Sequence, residues 1–150
     1  MAFGAVGFTL FGFTYLTVAV NSIFGGTGTA LGWYCGWAAV IAAVLAVVNF
    51  AGSADALIAW LWVSWSVLFF SFFVALITGT ERLGAAAGIL AIIQSVTTAS
   101  APALMMLDGS WSTTSTTVIA IVQLVGISVY VVAAACRRRA LVPAVGSRRD

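Results

Sequence analysis

The chain has 150 residues, of which 63% are hydrophobic and 7% charged, with a formal net charge of +2 and a mean hydropathy of +1.15. A soluble domain carries about a quarter charged residues, so this composition excludes a water-soluble fold and leaves no room for a separate soluble domain. All six basic residues are Arg, and Arg137, Arg138, Arg139, Arg148 and Arg149 follow the last apolar run, which marks a lipid-surface anchor and not a nucleic-acid patch.

Five long apolar runs succeed one another. The first, residues 3–24, has no basic residue before it, which argues against a cleaved signal peptide. Phe11 and Tyr15 are four apart on it and share one stripe, and Asn21 stands near its end. Gly25-Gly26-Thr27-Gly28-Thr29 then forms a turn. The second run, 31–50, opens on Gly32-Trp33-Tyr34-Cys35-Gly36, a small-xxx-small pattern that lets two helix backbones approach closely. After the turn at Gly52-Ser53-Ala54-Asp55 comes the third run, 56–78, with Trp62, Trp65 and Phe69 at helical spacing. Thr80-Glu81-Arg82 leads into the fourth, 84–107, which begins with a second small-residue pattern, Gly84 to Gly88, and carries Gln94 and Thr98 four apart. Asp108-Gly109-Ser110 precedes the fifth run, 117–136, and the arginine triplet closes it.

Each run reaches the roughly 20 residues that a helix needs to cross a bilayer. A lone span in hydrocarbon must satisfy its own backbone hydrogen bonds, and none of these runs shows the alternating polarity of a barrel strand. The expected fold is therefore an all-α polytopic membrane bundle of about five transmembrane helices over residues 1–136, followed by a basic cytoplasmic tail over 137–150. Arg82 lies between the third and fourth runs and the Arg cluster after the fifth, so both fall on one side of the membrane. By the positive-inside rule that side is the cytoplasm, the N-terminus is outside, and the membrane is the cell's inner (plasma) membrane.

The four acidic residues, Asp55, Glu81, Asp108 and Asp150, all stand outside the runs, and there is no His. Proton-coupled carriers and pumps place ionisable groups inside the membrane, so conduction of a neutral solute down its gradient fits this chain better. No His, carboxylate pair or phosphate loop is available for acid–base or nucleotide chemistry, which excludes the usual enzyme mechanisms, and the pattern calls for no cofactor and no metal. Cys35 and Cys136 are far apart and read as small packing residues. The aromatic stripes allow two readings. Trp33, Tyr34, Trp37 and Trp111, near run ends, suit an interfacial belt, whereas Trp65 and Phe69, nearer mid-span, suit either packing or the wall of a narrow slot for a small, flat, neutral solute.

Several of these stretches resemble the urea/amide channel family, the AmiS and UreI type of transporter. Leu10-Phe11-Gly12-Phe13-Thr14-Tyr15-Leu16 with Asn21 and Phe24-Gly25 is similar to the family's third helix, and Leu31-Gly32-Trp33-Tyr34-Cys35 to the start of its fourth. Trp62-Val63-Ser64-Trp65-Ser66-Val67-Leu68-Phe69 resembles the fifth, and Leu90-Ala91-Ile92-Ile93-Gln94-Ser95 through Thr98-Ala99 and Pro102 the sixth. The resemblance implies a ring of protomers, six in number, each with its own passive pore for urea or short-chain amides such as acetamide. Carried onto matching positions, it implies a pore lined by Phe11, Tyr15, Trp62, Trp65, Leu68, Phe69 and Gln94, with Asn21 and Thr98 offering further hydrogen bonds. Gln94 stands where the urease-linked members have Glu, which removes the basis for acid gating.

By the same resemblance the family's first two helices have no counterpart before Met1, and the fifth run is additional to the family's usual six. Two other readings stay open from the residues alone: a truncated, non-transporting membrane scaffold that only packs with partner helices, and a monocarboxylate channel, which would be expected to carry an Asn-Pro entry motif that this chain lacks.

Overall fold

A computed structural model of the chain describes residues 2–53 and 56–139. Every regular element among them is helical: α1 (Ala2–Ile23), α2 (Thr29–Val48), α3 (Ala56–Thr78), α4 (Glu81–Gln94), α5 (Ala101–Leu107) and α6 (Thr113–Arg139). A π-helical stretch, Asn49–Ser53, prolongs α2, and another, Ser95–Ser100, joins α4 to α5 in one continuous rod. Of the expected tail over 137–150, residues 140–150 lie outside the described residues, as do Asp55 and the side chains of Cys136 and Arg137 to Arg139.

Four stretches among the described residues are long and apolar enough to cross a bilayer: Thr29–Gly52, Ala56–Thr78, Glu81–Leu107 and Thr113–Val132. Helix α1 adds 22 residues, a length of about 33 Å at 1.5 Å per residue. Boundaries move by a few residues from those read in the sequence, chiefly because polar residues join helix ends. Glu81 and Arg82 make the first turn of α4, and Thr113 to Thr116 the first turn of α6. Gly25, Gly28, Gly79 and Gly109 take positive φ in the connecting turns, a conformation in which a Cβ would be strained.

Helices α2 and α3 form the most extensive pair, with α1 against α2, α4 on the other flank of α3, and α6 covering α4 and touching α3. The α2 face that makes this contact is small and periodic: Gly32, Cys35, Ala38, Ala39, Ala42, Leu45 and Ala46 are buried. A Cβ built at Gly36 would lie 2.9 Å from Cδ2 of Phe73, and one at Gly32 would lie 3.1 Å from Cβ of Leu76. The first small-residue pattern is thus used inside the chain, where it lets α3 side chains rest on the α2 backbone. The second is not, since nothing lies within 4 Å of a Cβ at Gly84 or Gly88.

Hydrogen bonds reinforce the pair. Ser66 donates to the Ala39 carbonyl at 2.9 Å, and the Tyr34 hydroxyl donates to the Leu10 carbonyl on α1 at 2.7 Å. The outer surface is apolar: Phe13, Leu16, Ile23, Trp33, Trp37, Val40, Val47, Ile92 and Val129 are among many large exposed hydrophobic residues. Water would not tolerate so continuous an apolar surface, and lipid does. The chain is a multi-pass membrane protein.

Candidate functional site

Between α1, α3 and the π-helical stretch after α4, the bundle gathers aromatic rings around a few neutral polar groups. The Phe11 ring meets Trp65 edge-on at 4.8 Å and 83°, lies 5.7 Å from Phe69 and 6.5 Å from Trp62. Trp62 and Trp65 are themselves edge-on at 4.9 Å and 88°. Position creates this cluster: Trp62, Trp65 and Phe69 fall on one stripe of α3, and Gly7 lets α1 come down onto it. A Cβ at Gly7 would sit 2.6 Å from Cζ2 of Trp62, so only glycine fits that approach.

The polar part begins at Trp65. Its indole Nε1 donates to the Thr98 hydroxyl at 2.9 Å, and that hydroxyl donates to the Gln94 carbonyl at 2.6 Å. Thr98 and Gln94 are each 3% exposed. Thr98 sits in the π-helical stretch, whose wider turn is seen where the Ala101 N–H reaches back to the Val96 carbonyl. The side-chain amide of Gln94 makes no hydrogen bond at either Nε2 or Oε1. A buried carboxamide with both ends unpaired is costly, and such a group marks a place where the fold leaves hydrogen-bonding capacity unused.

Of the residues singled out in the sequence, the structure brings together Phe11, Trp62, Trp65, Phe69 and Thr98, with Gln94 one turn before Thr98. Leu68 is half-buried beside them on α3, and its carbonyl accepts from Ser71 at 2.7 Å. Two stand apart. Tyr15 is 74% exposed on the outer face of α1. Asn21 works in the α1–α2 turn, where its Oδ1 accepts from the Gly28 N–H at 3.3 Å. Tyr34, read in the sequence as an interfacial belt residue, bonds α1 from inside the bundle, and two polar residues given no role there, Ser64 and Gln123, are joined across α3 and α6 at 2.5 Å.

Nothing charged approaches this site among the described residues. Glu81 and Arg82 are exposed at the start of α4, and Asp108 is exposed in the α5–α6 turn. The Ser110 side chain and backbone N–H both bond the Asp108 carboxyl and hold it below the usual carboxylate range. No group of three His, Cys, Asp or Glu side chains among the described residues could hold a metal ion. What the site offers is an apolar aromatic enclosure with a hydroxyl, an indole N–H and an unpaired carboxamide.

Comparison with known proteins bears on the chain as a whole. The model of the AmiS/UreI family transporters matches residues 1–110. A Mycolicibacterium smegmatis protein named as an amidate substrates transporter is 36% identical over 143 residues, covering 95% of this chain and 67% of that protein. A Rhodococcus erythropolis protein named as the transporter AmiS2 is 36% identical over 110 residues, covering 73% of this chain and 53% of its own length. The chain thus spans between about half and two thirds of these relatives. No solved structure is significantly similar to it. The family match stops short of α6, but an alignment that takes in 143 residues of a 150-residue chain runs through that helix, so the mycobacterial relative has sequence that aligns with α6.

Proposed function

We infer that this chain, which belongs to the AmiS/UreI family of transporters, conducts small neutral amides such as acetamide or urea passively across the cell's plasma membrane. The observation that carries the reading is the unpaired, buried carboxamide of Gln94 beside the Trp65–Thr98 hydrogen bond. A primary carboxamide presents one acceptor and two donors in a plane, and so does its solute counterpart, so two amides can pair edge to edge. Phe11, Trp62 and Phe69 supply flat apolar faces on which a planar molecule fits, while Thr98 and Trp65 hold the wall in shape. Leu68 belongs to this proposal beside them, and Tyr15 and Asn21 as more distant parts of the path. Tyr15 would meet solute or a neighbouring protomer at the outer face.

Selection against ions follows from the same surroundings. A cation or carboxylate entering an aromatic slot with no countercharge gives up hydration that neutral hydroxyl and amide groups do not replace. The same absence of a basic partner weighs against monocarboxylate transport. No residue in this reading performs catalysis. In the bilayer the proposed arrangement is five spans over residues 1–136, with the N-terminus outside and Arg82 and the basic tail over 137–150 cytoplasmic, and protomers assemble as a homo-oligomer, a hexamer by resemblance to the family.

The direct test is stopped-flow uptake by proteoliposomes carrying the purified chain, with labelled acetamide, urea and acetate. Both amides, or one of them, are expected to enter faster than into empty liposomes, and acetate is not. Amide uptake equal to that of empty liposomes would end the reading for this chain.

A further inference from the structure

Helices α3 and α6 flank an open cleft of about 940 Å³ at the face that bears the α2–α3 and α5–α6 connections. Its walls combine the indoles of Trp60 and Trp111 with the hydroxyls of Ser112, Thr116 and Thr117. The cleft is open and bears hydroxyls, so a small solute keeps its hydration there and is not yet selected. Selection needs a narrower, drier place.

Helical periodicity shows where the two walls lead. Leu57 and Trp60 line the cleft, and Ser64 lies seven and four residues further along the same stripe of α3. Thr116 and Ala120 line it from α6, and Gln123 lies seven and three residues further on. Both stripes therefore run from the cleft to the hydrogen bond from Ser64 Oγ to Gln123 Oε1 at 2.5 Å. Ser64 is 0% exposed and Gln123 4%, yet Gln123 Nε2 has no hydrogen-bond partner. Ser64 occupies the oxygen end of this carboxamide and leaves its amide donors unused.

We propose that the α3–α6 cleft is a vestibule ending in a carbonyl-binding subsite, in which Gln123 Nε2 donates to the carbonyl oxygen of a small neutral amide. The proposal rests on the reading of the chain as an amide conductor and adds a contact on α6, beyond the residues that the family match covers. The subsite is not isolated from Gln94. One turn after Gln123, a Cβ at Gly126 would lie 3.9 Å from Cγ2 of Ile93, the neighbour of Gln94, so the two glutamines stand at neighbouring levels along the packed helices α6 and α4. The unpaired donors of Gln123 have a purpose that a packing role would not give them.

The experiment uses the full chain in proteoliposomes with Cys35→Ala and Cys136→Ala, and Thr116→Cys as a reporter in the cleft. Labelling of the introduced thiol by the neutral reagent methyl methanethiosulfonate is followed with and without acetamide, and acetamide uptake is measured on the same vesicles. Acetamide is expected to slow labelling. Adding Gln123→Met is expected to raise the acetamide concentration needed by about fivefold, the loss of one neutral hydrogen bond. Gln123→Asn, which withdraws the donor by one methylene, is expected to act in the same direction. Ser64→Ala leaves the donor in place and is expected to keep the protection. Unslowed labelling in the reporter protein, or equal protection after both Gln123 substitutions, would overturn the subsite. Uptake without protection rejects the subsite and leaves amide conduction standing; protection without uptake does the reverse.

Discussion

The indole of Trp65 is tied to Thr98 by a 2.9 Å hydrogen bond that crosses from the middle of α3 to the π-helical stretch after α4. Thr98 accepts this bond while donating to the Gln94 carbonyl, so a single hydroxyl fixes the position of the ring. Thr98→Val keeps the shape of the side chain and removes that hydroxyl, leaving the indole N–H of the half-buried Trp65 without its acceptor. The expected cost is about 1–3 kcal/mol, read as a lower unfolding temperature in detergent. Trp65→Phe combined with Thr98→Val is expected to cost less than the two changes added together, because the second loses no bond that the first has not already removed.

Gln94 separates stability from conduction. Its amide is buried and unpaired, so Gln94→Leu removes an unsatisfied polar group and is expected to leave the fold as stable or to stabilise it by roughly 1–3 kcal/mol. The same variant is expected to lose amide uptake. A variant that unfolds earlier than the parent, or that conducts as well, would contradict the role assigned to this residue.

The two small-residue patterns are expected to respond differently to one added methyl group. Gly36→Ala places a Cβ 2.9 Å from the Phe73 ring, whereas Gly88→Ala meets nothing within 4 Å. Both changes gain about 1 kcal/mol of helix propensity, so the difference between them isolates the ring contact. Gly36→Ala should be the less stable by roughly 1–3 kcal/mol in thermal denaturation. If Gly88→Ala alters the size of the assembly by crosslinking while leaving the protomer's stability unchanged, its open face is a contact between copies.

Acid should leave conduction unchanged. With no His in the chain and Gln at position 94, no group that titrates between about pH 5 and 8 lies in the proposed path, and uptake should be the same at both limits. Stability has its own window. The Asp108 carboxyl is held below its ordinary range by Ser110, so what it contributes is fully present above that ordinary range and is lost only as pH falls through the lowered value. Unfolding temperature followed against pH checks the second point, and uptake at the two limits checks the first.

Much of this architecture was legible because hydrophobic run length and turn residues are local signals. The limits of α3 match the apolar run at both ends, and the stripe formed by Trp62, Trp65 and Phe69 does meet Phe11. Tyr15 shows where such a signal stops. It shares a stripe with Phe11, yet it is 74% exposed, because periodicity tells which residues share a face and not how far along the axis a neighbour covers it. Asn21 was placed near a helix end and turned out to pin the following turn, which depends on the path of the chain after Ile23. Gln123 had a usable signal that was passed over: the chain has only two glutamines, both lie inside apolar runs, and both are buried. A polar side chain in such a run is itself a pointer to function.

The widened turn over Ser95–Ser100 also sets the phase of all that follows it in the same rod. One residue corresponds to about 100° of rotation in an ordinary helix, and a stretch with i→i+5 bonds turns through roughly one residue less, so rewinding all six residues as an ordinary helix would swing Pro102, now buried, about a quarter of the way around the axis. The widened turn therefore lets the rod carry one extra residue without turning α5 off its face, and a variant shortened by one residue would keep the aim of α5 while giving up the open winding around Thr98.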